Sequence, residues 1–126
     1  MLDIVPATGH HLALLGGPTL VKAARALAVV DGEEVLAIAG YTTQWDCLMV
    51  SARISESGRD LMAKRYGLKT LLVAAKRIVN DAAHRGLPVR AIADPSIEGS
   101  GRLLSHIGFT RVDKETYEWN SQYPCF

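Results

Sequence analysis

Helix-like and strand-like hydrophobic patterns alternate along this chain in a regular order. Between Ser57 and Gly86, apolar residues recur at Leu61, Leu68, Leu71, Leu72, Ala75, Ile78, Val79 and Ala82. That is the i, i+3, i+4, i+7 spacing of one buried helical stripe. Ser57 followed three residues later by Asp60 has the form of a capping box. Gly86, behind His84 and Arg85, reads as a stop with cations near the negative end of the helix dipole. Tyr66-Gly67 interrupts the pattern and offers a second start, but the sequence favours the early one at Ser57.

Strand patterns lie on both sides of this helix. Leu2 to Ala7 reads as a short strand with Pro6 near its end. Ala26 to Val30 and Val35 to Tyr41 pair across Asp31-Gly32, a strong two-residue hairpin signal. The second of these is apolar on both faces and belongs inside the sheet. Thr42 to Asp46 is a polar loop carrying Trp45. Cys47 to Ile54 then places Leu48, Val50, Ala52 and Ile54 on one face and Met49, Ser51 and Arg53 on the other. Leu87 to Ala93 is a buried strand, and Thr110 to Val112 with Thr116 to Trp119 form a closing hairpin.

Short helices are predicted over Gly9 to Leu15 (capped by Thr8), Leu20 to Arg25, and Glu98 to His106. Gly108 ends the last of these and Phe109 enters the core. The predicted order is β-α-α-β-β-β-α-β-α-β-β, a mixed α/β sheet with helices on both faces. Residues 1–119 make one domain and 120–126 a C-terminal tail.

Composition narrows the function classes. The chain has 126 residues and a net charge of +1, so no global charge argues for nucleic acid or an anionic membrane. A local surplus of Lys and Arg on the long helix is a solvated face first and an anion site second. Cys47 and Cys125 make no disulfide framework, and no signal-peptide or membrane-spanning pattern is present. A cytoplasmic protein is expected. No His, Cys, Asp or Glu spacing completes a metal site, which leaves His10 and His11 to surface or capping roles.

Several local patterns, in order, resemble the GNAT acyltransferase superfamily. They are LDIVPAT at 2–8, ALAVVDGEEVLAIAGY at 26–41, RLLSHIGF at 102–109 and YEW at 117–119. The resemblance implies a GNAT-like mixed sheet and, in active members, acetyl-coenzyme A bound through a loop R/Q-x-x-G-x-G/A. Small residues are needed there because backbone N–H groups must approach phosphate at a helix N-terminus. Aligned on Leu71-Leu72, this chain has Ala63, Tyr66 and Leu68 at the three motif positions. Leu104 stands where the resemblance implies a proton-donating tyrosine.

A narrower likeness is to the GNAT-like internal virion proteins of short-tailed phages, carried by Trp45, Ser57-Gly58-Arg59 and Ile107-Gly108. It implies a virion location and a structural, partner-binding role. The sequence therefore favours a descendant that has lost acyl transfer, needs no cofactor and binds other protein subunits or itself. Trp45, Trp119, Tyr123 and Phe126 are the candidate contacts. The alternative is an acetyl-coenzyme A-dependent N-acyltransferase with an atypical pyrophosphate site. Its candidate cofactor residues are Met49, Val50, Lys64, Arg65, Gly67 and Lys69, and its candidate catalytic residues Ser51, Glu56 and His106.

Overall fold

The computed structural model describes residues 2–16, 22–92 and 100–119. The side chains of Met62, Arg65, Tyr66, Leu68 and His106 lie outside that description, as do Cys125 and the tail residues Tyr123 and Phe126. Strands β1 (Leu2–Pro6), β2 (Arg25–Asp31), β3 (Glu34–Thr43), β4 (Leu48–Ile54), β5 (Val89–Ile92), β6 (Phe109–Arg111) and β7 (Thr116–Trp119) form one sheet. Its order is β1-β2-β3-β4-β5-β7-β6, and every pairing is antiparallel except β4 with β5.

The β2–β3 hairpin shows how the pattern becomes structure. Asp31 pairs with Glu34, so the two-residue loop is Gly32-Glu33, one residue later than expected. A register shift between Val29 and Val30 displaces the turn, and Gly32 takes the positive φ of 62° that the loop's first position requires. β3 runs on through Thr42 and Thr43, so the polar loop is shorter than expected. Val35 to Tyr41 are all buried, as an inner strand covered on both faces demands.

One face is covered by α1 (Gly9–His11), which continues as a π-type turn over Leu12–Gly16. Thr8 Oγ1 accepts from the His11 N–H, and the Thr8 N–H donates to His11 Nδ1, closing a capping box. Leu12 and Leu15 pack on Ala28, Val30, Val35 and Ile38. The helix expected over Leu20 to Arg25 is corrected where it is described. Lys22 to Ala24 are not helical, and Arg25 opens β2, because its pairing with Tyr41 satisfies the backbone there.

The opposite face is covered by α2 (Glu56–Met62), α3 (Arg65–Ala83) and α4 (Ser100–Ile107). The long helical stretch is thus two helices, broken at Ala63-Lys64. The early start is present, but its cap is Ser55 rather than Ser57: Ser55 Oγ accepts from the Gly58 N–H at 3.0 Å. α3 ends at Ala83, and His84 beyond it donates through Nδ1 to the Asn80 carbonyl at 2.6 Å. Ile78, Val79 and Ala82 pack on Leu27, Ala39, Tyr41 and Leu48, and Ile107 and Phe109 join the same core.

In the closing hairpin β7 lies between β5 and β6, and β6 takes the edge. Tyr117 and Trp119 on β7 pack against the main core, while exposed Thr110 and Arg111 of β6 suit a boundary strand. β5 is also less buried than expected: Val89 and Ala91 are enclosed, but Ile92 is 57 % exposed.

Tyr41 is the polar exception in the core. It is buried, and its hydroxyl donates to Asp81 Oδ2 at 2.5 Å. Arg25 Nε at 3.6 Å and Arg85 Nη2 at 4.0 Å flank the same carboxylate. Burial pushes the phenol above its ordinary value, and Asp81 adds to the rise. Tyr41→Phe is expected to cost about 1–2 kcal/mol in urea denaturation, since Asp81 keeps both arginines. The tyrosine's share of stability falls as pH rises past 10.0, where the unfolded phenol loses its proton first and the folded one keeps it. The phenylalanine variant lacks that component of the alkaline decline.

Candidate active-site cleft

β4 and β5 are parallel and, among the described residues, share three residue pairs, Leu48 with Val89, Met49 with Arg90, and Val50 with Ala91. Beyond Val50, β4 stays paired with β3 from Ser51 to Ile54, while its other edge meets no strand among the described residues. Ala52 is consequently exposed in the middle of a seven-stranded sheet. Ile92 stands exposed on the opposite wall.

Local contacts account for the divergence. The Ser55 N–H donates to the Leu36 carbonyl at 2.9 Å, tying the end of β4 to the start of β3. α2 then settles onto β3 so closely that a Cβ on Gly58 would lie 2.2 Å from that same carbonyl oxygen. The end of β4 is held toward β3 and away from β5.

Between α3 and the sheet lies an apolar cavity of about 50 Å³. Ala52 and Ile54 on β4, Ala37 and Ala39 on β3, Val29 on β2, and Leu71, Leu72, Ala74 and Ala75 on α3 line it. Its β4 lining, Ala52 and Ile54, lies on the α3 side past the last β4–β5 pair.

The first turn of α3 lies where the resemblance implies a pyrophosphate loop. Lys64 is its N-cap and makes no side-chain capping bond. Gly67 is buried, and a Cβ there would lie 2.3 Å from the Leu61 carbonyl oxygen and 2.5 Å from Leu61 Cγ. Its smallness therefore admits the end of α2. The Leu61 carbonyl also donates no hydrogen and brings partial negative charge to a helix N-terminus. Lys64 and Lys69 are exposed nearby in sequence, and their ammonium groups can offer the positive charge that backbone donors would otherwise supply.

The far face of β4 carries Met49 and Ser51, both half-buried. Met49 is in register with Arg90, whose Nε donates to Glu118 Oε2 at 3.2 Å and whose Nη1 lies 4.0 Å from Asp46 Oδ2. The Glu118 bond is the main reason the guanidinium is held above its usual range. The sequence assigns no site role to Arg90 or Glu118. Period-two alternation in β5 and β7 puts them on one face, but only the β5–β7 pairing brings them together.

The other candidates separate. Val50 lies on the α3 side and packs on the core. Glu56 is exposed in the first turn of α2. Leu104 is half-buried against the same core as Ile107. Trp45 is 94 % exposed and does not pack against the sheet end. Trp119 is half-buried, and its indole nitrogen has no hydrogen-bond partner among the described residues. Cys47 is buried, and burial raises its thiol pKa, with Asp46 contributing second. Among the described residues no group of His, Cys, Asp and Glu could hold a metal, and no helix is long and apolar enough to cross a membrane.

Known structures share this architecture at low identity. An IAA acetyltransferase from Bacillus cereus superposes with a TM-score of 0.61 and 15% identity, over 90% of this chain and 79% of that one. The ribosomal-protein-S18-alanine N-acetyltransferase of Escherichia coli gives 0.57 at 11% identity, over 94% of this chain and 90% of its own. An N-acetylglutamate synthase from Neisseria gonorrhoeae, solved with coenzyme A and L-arginine, gives 0.53 at 14%, over 94% of this chain and 33% of its own. No protein-family model and no curated protein matches the sequence. The chain has the GNAT N-acetyltransferase fold. None of these three structures is of a phage virion protein.

Proposed function

We propose that this protein binds an acyl-coenzyme A in the cleft between β4 and β5 and transfers the acyl group to an amine. The observation that supports it most is the edge of β4 from Ser51 to Ile54, which meets no strand among the described residues and is exposed at Ala52 inside a GNAT sheet. An inner strand edge without a partner is costly unless something else completes it. An extended chain of amides such as pantetheine can pair with such an edge as a strand would. When bound, acyl-coenzyme A supplies a thioester whose acyl carbon the amine attacks; the C–S bond breaks, and the thiolate takes up the proton that the amine gives up.

The chain's own residues divide the remaining work. β4 backbone groups hold the amide arm, Lys64 and Lys69 neutralise the phosphates, and Ser51 orients the acceptor at the wall. This arrangement replaces the glycine loop with side-chain charge, so the phosphate contacts are screened by salt. Calorimetric titration with acetyl-coenzyme A is expected to show micromolar binding that weakens about tenfold in Lys69→Glu. No binding at millimolar ligand overturns the proposal.

A second reading, a GNAT-fold protein that binds partners without transferring acyl groups, has specific support. The Leu61 carbonyl stands against the first turn of α3, Leu104 occupies the tyrosine position, and Trp45 is free to anchor a partner. The same titration separates the two readings. The open edge of β4 is why the first is preferred.

A further inference from the structure

The cavity under α3 has no role in holding coenzyme A itself, whose amide arm and phosphates are polar. We infer that it is an acyl-chain pocket, and that the protein takes a linear acyl group of about four carbons in preference to acetyl. The inference rests on the acyl-transfer reading above and adds the identity of the group transferred.

Position, chemistry and size support it. The cavity is lined by Ala52 and Ile54, which belong to the same stretch of β4 that would hold the amide arm. From exposed Ala52 it leads inward to Val29, Ala37 and Ala74, all buried. Every lining residue is aliphatic, so water there would lack the partners that hold it, whereas an alkyl chain loses nothing on entry. A dry cavity of about 150 Å³ accepts the six carbons of benzene. In proportion, about 50 Å³ has room for roughly two. Two methylenes beyond acetyl make butyryl. Alanines at 37, 39, 52, 74 and 75 keep this space clear, and a larger side chain at the mouth closes it.

Titration of the full chain with coenzyme A, acetyl-, butyryl- and hexanoyl-coenzyme A tests this by calorimetry. Butyryl is expected to bind about tenfold more tightly than acetyl. Hexanoyl should gain nothing further, because its outer carbons find no space. Ala52→Val adds two carbons at the mouth, at an exposed strand position where valine is well tolerated. In this variant the butyryl-to-acetyl ratio should fall to about one. Equal binding of acetyl and butyryl, a further gain with hexanoyl, or a ratio unchanged by Ala52→Val overturns the pocket while leaving acyl-coenzyme A binding intact. Failure of every ligand, free coenzyme A included, overturns the acyl-transfer reading and the pocket with it.

Discussion

Alanine at position 78 is expected to lower folding stability by about 3–4 kcal/mol. Ile78 is fully buried on the sheet-facing side of α3, in the cluster that joins the helix to Leu27, Ala39, Tyr41 and Leu48. Removing its outer carbons loses their transfer free energy and leaves a void that the surrounding strands can only partly collapse into. Because α3 packs on β1 through β5, the loss weakens the attachment of the helix to the whole sheet. Urea denaturation should show a lower midpoint with an unchanged slope. Val73→Ala, on the exposed side of the same helix, should move the midpoint by less than about 0.5 kcal/mol. Similar losses at both positions would mean that the buried stripe does not hold α3 to the sheet.

At Gly58 the expected sign is the reverse of the usual helix rule. Alanine in a helix interior normally gains up to about 1 kcal/mol over glycine. Here the added methyl would stand 2.2 Å from the Leu36 carbonyl oxygen and 2.8 Å from Ile54 Cγ2, and a main-chain atom cannot swing aside as a side-chain tip can. Either α2 lifts from β3, or the end of β4 moves. We expect a net loss of about 1–2 kcal/mol, the cost of overpacking less the propensity gain. Gly9→Ala is the control: nothing lies within 4 Å of a Cβ there. Equal behaviour of the two variants in a thermal melt would show that α2 does not pack as described.

Local patterns carried much of this fold. The alternation in Leu48 to Ile54 assigned the two faces of β4, and the two-sided apolar run of Val35 to Tyr41 placed β3 inside the sheet. What sequence could not reveal was set by distant contacts. The break at Ala63-Lys64 falls within a stretch of helix-compatible residues and arises because α2 docks on Leu36 while α3 takes its own line across the sheet. Gly67 is a candidate cofactor residue by sequence; its neighbour in space is Leu61. The insertion of β7 between β5 and β6 has no local signature, since either strand of a hairpin can take the edge. For the cleft, the sequence offered only Met49 and Val50 among its candidate cofactor residues. The pairing that stops after Val50 and Ala91 is non-local, and so is the meeting of Arg90 with Glu118.

The short β4–β5 ladder also makes the sheet mechanically two leaves, β1 to β4 and β5 to β7. Each leaf is stitched by antiparallel neighbours, and three parallel residue pairs form the seam. α3 lies across that seam like the spine of a book, touching strands of both leaves. Spreading the leaves at the open end therefore bends the seam without unpicking either leaf, and the resistance comes from α3. The stiffness of the hinge between the leaves is set by the grip of one helix on both.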